Sequence, residues 1–161
     1  MTRTFVLGLV LAQAQACSPA PVAFSDAHVA AVRDSVQAAL SQFQGYSAQA
    51  QWDSLAGLYS SSESFRFLES GAVRYDSRAA IRNAFDGLPP GTRITTTYRD
   101  LEIDPIAPSV AMVTGLFDTR VADSTGQGVS FSGGLSLLWM HETDGWRIRS
   151  GHSSSPVPRG T

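Results

Sequence analysis

From Arg93 to Ser153 the chain reads as one strand after another, and this run constrains the fold more than any other feature. The segments are Arg93 to Ile103, rich in Thr and aromatic residues, then Val110 to Val121, Val129 to His141 and Trp146 to Ser153. Turn clusters divide them: Pro105 with Pro108, Gly126 with Gly128, and Asp144-Gly145. Four consecutive strands joined by short turns form an antiparallel meander. Such a sheet must bury one face, and the remaining sequence has to supply the cover.

That cover comes earlier in the chain. Val29, Val32, Val36, Leu40 and Phe43 recur at spacings of three and four, so they share one face of a helix. Ser25 or Asp26 can cap its start, and Gly45 is placed to end it. Ser47 can cap a second helix, in which Trp52, Leu55 and Tyr59 lie on one side. Two short strands, Phe65 to Leu68 and Val73 to Tyr75, flank Ser70-Gly71. Asp76 or Ser77 then caps a third helix carrying Ile81 and Phe85, which Asp86-Gly87 and Pro89-Pro90-Gly91 bring to a stop. Helices first and a meander afterwards predict an α+β domain with its helices on the concave face of a bent antiparallel sheet.

With 161 residues, 43% of them hydrophobic and 16% charged, there is material for one core and one domain. All 12 basic residues are Arg, which excludes lysine chemistry. The Arg residues are scattered and the net charge is −2, so the chain carries no electrostatic footprint for nucleic acid. His28, His141 and His152 stand at no metal-ligand spacing, and zinc-protease, α/β-hydrolase and phosphate-loop motifs do not occur. No metal and no cofactor is implied.

The first sixteen residues have the form of a bacterial export signal. Arg3 precedes an apolar run from Phe5 to Ala12, too short to span a bilayer, and Ala14-Gln15-Ala16 ends in small residues. Cys17, the only cysteine, follows directly. Ala-Gln-Ala-Cys resembles the lipobox of bacterial lipoproteins, with Ala14 where Leu is usual; ordinary signal-peptidase cleavage is the alternative, giving a secreted protein. The expected organisation is a signal over 1–16, a tether over 17–24, a folded domain over 25–155 and a tail over 156–161. The mature protein would then lie outside the cytoplasm, touching the membrane only through a lipid on Cys17.

Four polar residues on strand-like segments are candidates for chemistry: Tyr98, Asp100, Asp118 and His152. Tyr98 also reads as a half-buried strand residue, and Asp100 as part of a solvated run with Glu102 and Asp104. Asp118 follows an apolar stretch that would raise its pKa if it pointed inward; it can equally pair with Arg120 or a neighbouring strand. For His152 the Asp144-Gly145 pair sets an expectation. A two-residue turn there puts His141 opposite Ile148, Trp139 opposite Ser150 and Leu137 opposite His152. Trp139 and Leu137 then form a pocket wall, with His152 as a polar group inside.

The order of elements from about Asp26 to Ser155, closing on G-W-R-I-R-S-G-H-S-S, resembles the nuclear transport factor 2-like superfamily, which includes SnoaL-like and ketosteroid isomerase-like domains. The resemblance implies a cone-shaped fold with an apolar pocket, and frequent homodimers that pair through the convex face of the sheet, here near Leu138 and Met140. It assigns no activity, because this fold serves enzymes, binding modules and oligomerisation domains alike. Three functions follow: a module binding a small apolar ligand through Trp139, Leu137, His152, Tyr98 and Asp118; an interaction domain; or an isomerase, cyclase or dehydratase with His152 or Asp118 as general acid or base.

The export reading has a direct test. Cys17→Ser is expected to release the protein from the membrane fraction, and a wild-type protein found soluble with an unmodified Cys17 would end the lipoprotein reading.

Overall fold

The computed structural model describes residues 24–156, so the expected signal, Cys17 and most of the tether and tail lie outside the described residues. Three helices, α1 (Asp26–Ala48), α2 (Trp52–Gly57) and α3 (Arg78–Asp86), accompany six strands. These are β1 (Arg66–Glu69), β2 (Ala72–Tyr75), β3 (Arg93–Ala107), β4 (Val110–Ala122), β5 (Gly128–Glu142) and β6 (Gly145–Ser154). The sheet order is β2-β1-β6-β5-β4-β3. The four strands β3 to β6 neighbour one another in sequence as a meander predicts and β1 pairs with β2, but β1 joins β6 in parallel, which makes the sheet mixed.

Helix α1 starts where its cap predicts, Ser25 accepting from the His28 N–H. It runs through Gly45, and Ser47 belongs to it rather than to the next helix. The Ser47 hydroxyl donates instead to the Ile94 carbonyl at 2.7 Å, so its polarity is spent on the sheet. Helix α2 therefore begins at Trp52, after Gln51, without a side-chain cap. In α3 the Ser77 cap forms as expected. Strand β3 continues through Pro105, beyond the predicted turn. On this edge strand Ile103 gives its carbonyl to α1, so Pro105, two residues on, faces the edge, where its missing N–H leaves no ladder bond unmade.

The core lies between α1 and the concave face. Val32, Val36, Ala39 and Leu40 of α1 pack with Ile103, Ala111, Val113, Leu137, Trp139, Trp146 and Ile148 of the sheet. Two of the bulges lie in the middle of the sheet and bend it. On β3, Asp100 and Leu101 stand opposite the single Gly115, with Asp100 at φ 47°. On β6, Arg149 is the extra residue between Ile148, which pairs with Trp139, and Ser150, which pairs with Leu138.

Two glycines separate packing from propensity. A Cβ on Gly151 would stand 2.6 Å from the Phe67 ring and 2.9 Å from Leu137, whereas one on Gly45 meets nothing within 4 Å. Gly151→Ala is expected to destabilise the fold by about 1–3 kcal/mol, and Gly45→Ala to stabilise it by about 0.5–1 kcal/mol. Opposite shifts in thermal denaturation would confirm both assignments.

Candidate functional site

The concave surface beside the core is aromatic. Tyr59, just past α2, is the hub: its ring meets Phe43, Phe65 and Phe67 edge-on, with centroids 6.1, 6.0 and 6.3 Å away. Tyr75 of β2 leans on Phe67, and Tyr98 of β3 packs against the same core. Three strand or loop segments thus bring three phenols onto the inner side. Burial pushes the Tyr59 hydroxyl well above the ordinary phenol range, with the nearby Tyr98 and Tyr75 adding to the effect. Burial alone does the same to Tyr98. Both rings stay neutral and able to donate a hydrogen bond throughout the physiological range.

Among the described residues no Asp, Glu, His or Arg is buried; the buried polar side chains are Ser47, Ser60, Thr92 and Thr119. None of these four carries a formal charge. Leu137 and Trp139 lie on the concave face as expected, Trp139 with no exposed surface at all, and its indole N–H finds no acceptor. They form the floor under α1 rather than an open wall.

Asp118 and His152 are elsewhere. Asp118 points to the outer side of β4, where Arg99 binds it at 2.5 Å and the Ser132 hydroxyl at 2.5 Å. These partners, Arg99 first, hold its carboxyl below the usual range, the reverse of the shift expected for an inward carboxylate. It pairs with a neighbouring strand, one of the two structural roles the sequence allowed. His152 is exposed, opposite Ser136, and borders a shallow outer groove of about 460 Å³ together with Asp100. This corrects the expected register. The turn residues are Thr143 and Asp144, so His141 pairs with Trp146 and Trp139 with Ile148. That two-residue shift preserves the faces, but the bulge at Arg149 adds one more residue and turns His152 outward. Gly151 takes the inward place, and the Phe67 ring fills the space its missing side chain leaves.

Sequence reasoning placed Tyr98 on its strand but missed Tyr59 and Tyr75. The only signal for Tyr59 was its place on the apolar face of the second helix, which reads as ordinary core.

Comparisons with known proteins agree with this architecture. A nuclear transport factor 2-like superfamily protein from Salmonella enterica superposes with a TM-score of 0.66 at 17% identity, covering 82% of this chain and 96% of that one. A nuclear transport factor 2-like protein of unknown function from Shewanella oneidensis gives 0.64 at 20% identity, covering 76% and 98%. A ketosteroid isomerase-like protein from Erwinia carotovora gives 0.58 at 12% identity, covering 78% and 96%. No curated protein matches the chain in sequence. The family model of the SnoaL-like domain matches residues 36–158, from the middle of α1 past the end of β6, and the chain belongs to that family.

Proposed function

We infer that this is a binding module that takes up a small, uncharged, largely apolar molecule bearing a hydrogen-bond acceptor, outside the cytoplasm. The observation that carries the reading is the chemistry of the concave side: the aromatic rings of Tyr59, Tyr75 and Tyr98, with no buried charged side chain among the described residues. A phenol whose pKa lies above about 10 donates well but is a poor proton acceptor at neutral pH. General acid–base catalysis by His152 or Asp118 would need those groups inside, whereas both stand outside the cone. An apolar wall with a few hydrogen-bond donors suits retention of a ligand better than turnover.

The test is thermal shift with uncharged aromatic ketones and the matching carboxylates. A ketone at a hundredfold excess over its Kd is expected to add about 2.7 kcal/mol of stability, and the carboxylate almost none, because its charge would be buried without a partner. Tyr98→Phe should weaken ketone binding about five- to tenfold, the worth of one hydrogen bond near 1 kcal/mol. A preference for the carboxylate, or indifference to Tyr98→Phe, would sink the reading.

Absorbance of phenolate offers a ligand-free check on the same tyrosines. Their raised pKa means the folded state keeps protons that the unfolded chain releases above about pH 10. The stability associated with them is complete below that pH and falls as the pH rises past it. Tyr59 and Tyr98 should ionise only in step with alkaline unfolding, and the paired Tyr59→Phe and Tyr98→Phe variant should lack that part of the absorbance step. Ionisation of Tyr59 or Tyr98 in the folded protein near pH 10 would contradict the buried placement.

A further inference from the structure

We propose that the first third of β5, Gly128 to Ser132, is a self-pairing edge through which two copies of this chain join antiparallel about Ser130, making one continuous sheet. Strand β6 covers β5 only from Gly134 onward, where Gly134 pairs with Ser154. The reason lies in the phase of the backbone. Ser153 gives its carbonyl to the Ser70 N–H at 3.0 Å, so Ser153 faces β1 and Ser154 faces β5. The next residue to face β5 is Pro156, which has no N–H to give. The ladder stops, and among the described residues nothing pairs with Gly128 to Ser132 on that side.

The same alternation fixes which groups are free. Gly134 faces β6, so Ser132, Ser130 and Gly128 present their N–H and C=O groups to the open edge, while Phe131 and Val129 pair inward with Thr119 and Val121. Carrying the phase across the sheet puts Ile94 and Thr96 at the far edge, where α1 does take their carbonyls, so the assignment holds over four strands.

This edge lacks two of the usual protections, charge and proline. The segment has no charged residue and no Pro, and Val129 and Phe131 are 66% and 41% exposed. By contrast α1 covers β3, and β2 has four residues and the exposed Glu69–Arg74 ion pair at its hairpin.

A second copy fits the edge better than any other strand because the segment is self-complementary in one register. With Ser130 opposite Ser130 of the partner, Gly128 faces Ser132 and Val129 faces Phe131. All three outward-facing residues meet as bonded pairs, giving six hydrogen bonds, and the apolar pair falls at the closer, non-bonded sites twice over. Ser130 meets Ser130 and Gly128 meets Ser132 on one side, with Val–Phe pairs on the other, so the two sheet faces continue without a change of character. The chain's own tail is a poorer occupant, since Pro156 falls at a bonding position.

A five-residue edge gives a weak dimer, dissociating in about the tens to hundreds of micromolar. Sedimentation equilibrium of the purified protein up to several hundred micromolar, on the order of that constant, should show it. Phe131→Lys, which adds a charge at each apolar pair and gives up the edge-on contact of this ring with Phe117 at 6.2 Å, should raise the Kd at least about tenfold while the monomer still folds. Ser130→Cys, made together with Cys17→Ser, reads the register. Opposed bonded residues lie about 5.5 Å apart at Cα, within disulfide reach, so this variant should oxidise to a covalent dimer far faster than Ser132→Cys, which faces Gly128. A monomer at all concentrations overturns the proposal. So does a dimer indifferent to Phe131→Lys, which would place association on the outer face near Leu138 and Met140, and so does a dimer that tightens when residues 157–161 are deleted, which would make the tail the occupant. Equal oxidation of the two cysteine variants would refute the register.

Discussion

The rest of the fold depends on α1 lying along the open edge of β3. Strand β3 has fifteen residues and, among the described residues, no neighbouring strand on its far side, which leaves a row of carbonyls needing partners. Helix α1 supplies them from side chains: Ser47 to Ile94 and Gln44 to Thr96 near its C-terminus, Arg33 to Ile103 near its N-terminus. Arg93 of β3 returns the favour at the Ala48 carbonyl. Each such bond adds only about 1 kcal/mol net, but their spacing fixes the angle of the helix. With that angle set, Val32, Val36, Ala39 and Leu40 fall on Ile103, Val113 and Trp139, and one core closes.

The opposite end of the sheet is held by a different device. The chain after α2 enters the sheet beside Ile148, whose N–H and C=O are taken by Leu58 and Ser60. The wholly buried Ser60 hydroxyl donates to the Glu142 carboxylate at 2.5 Å and lies 3.5 Å from Arg149. This junction carries β1 into a parallel pairing with β6, which a two-residue turn could never produce. It also delivers Tyr59 to the inner side, so the aromatic hub follows from how the sheet is closed.

Periodicity revealed most of the architecture. The apolar spacing of α1, the Ser77 cap and all four long strands are written in local sequence, because each element must bury one face and its pattern repeats with its own period. The failures share a cause. Ser47 has the right chemistry for a cap, yet tertiary contact with Ile94 outweighed it. Pro105 marks a turn in most contexts, but not where its missing N–H faces an edge. The parallel β1–β6 pairing has no local signal at all. The site was less legible, because its residues are ordinary core types: Tyr98 stood out only as a polar residue on a strand, and Tyr59 and Tyr75 not even as that. Asp118 drew attention through its apolar neighbours Val113 and Phe117, which alternate to the other face of the same strand.

The bulge at Arg149 shows how the shape of the sheet and the polarity of its interior are linked. A regular hairpin with the expected turn would have kept His152 on the same face as Trp139 and Ile148, placing an ionisable ring inside. The extra residue bends β6, and bending is needed because a flat sheet cannot wrap α1. It also inverts the alternation beyond it, so the inward position passes from His152 to Gly151. Only glycine suits that position, since any Cβ there would meet the Phe67 ring. The Asp100–Leu101 bulge acts in the same way across the sheet, keeping Asp100 exposed and turning Leu101 toward the core. In both places one inserted residue supplies curvature, excludes an ionisable side chain and leaves an apolar surface inside, and the uncharged character of the candidate site follows from the same geometry that makes the cone.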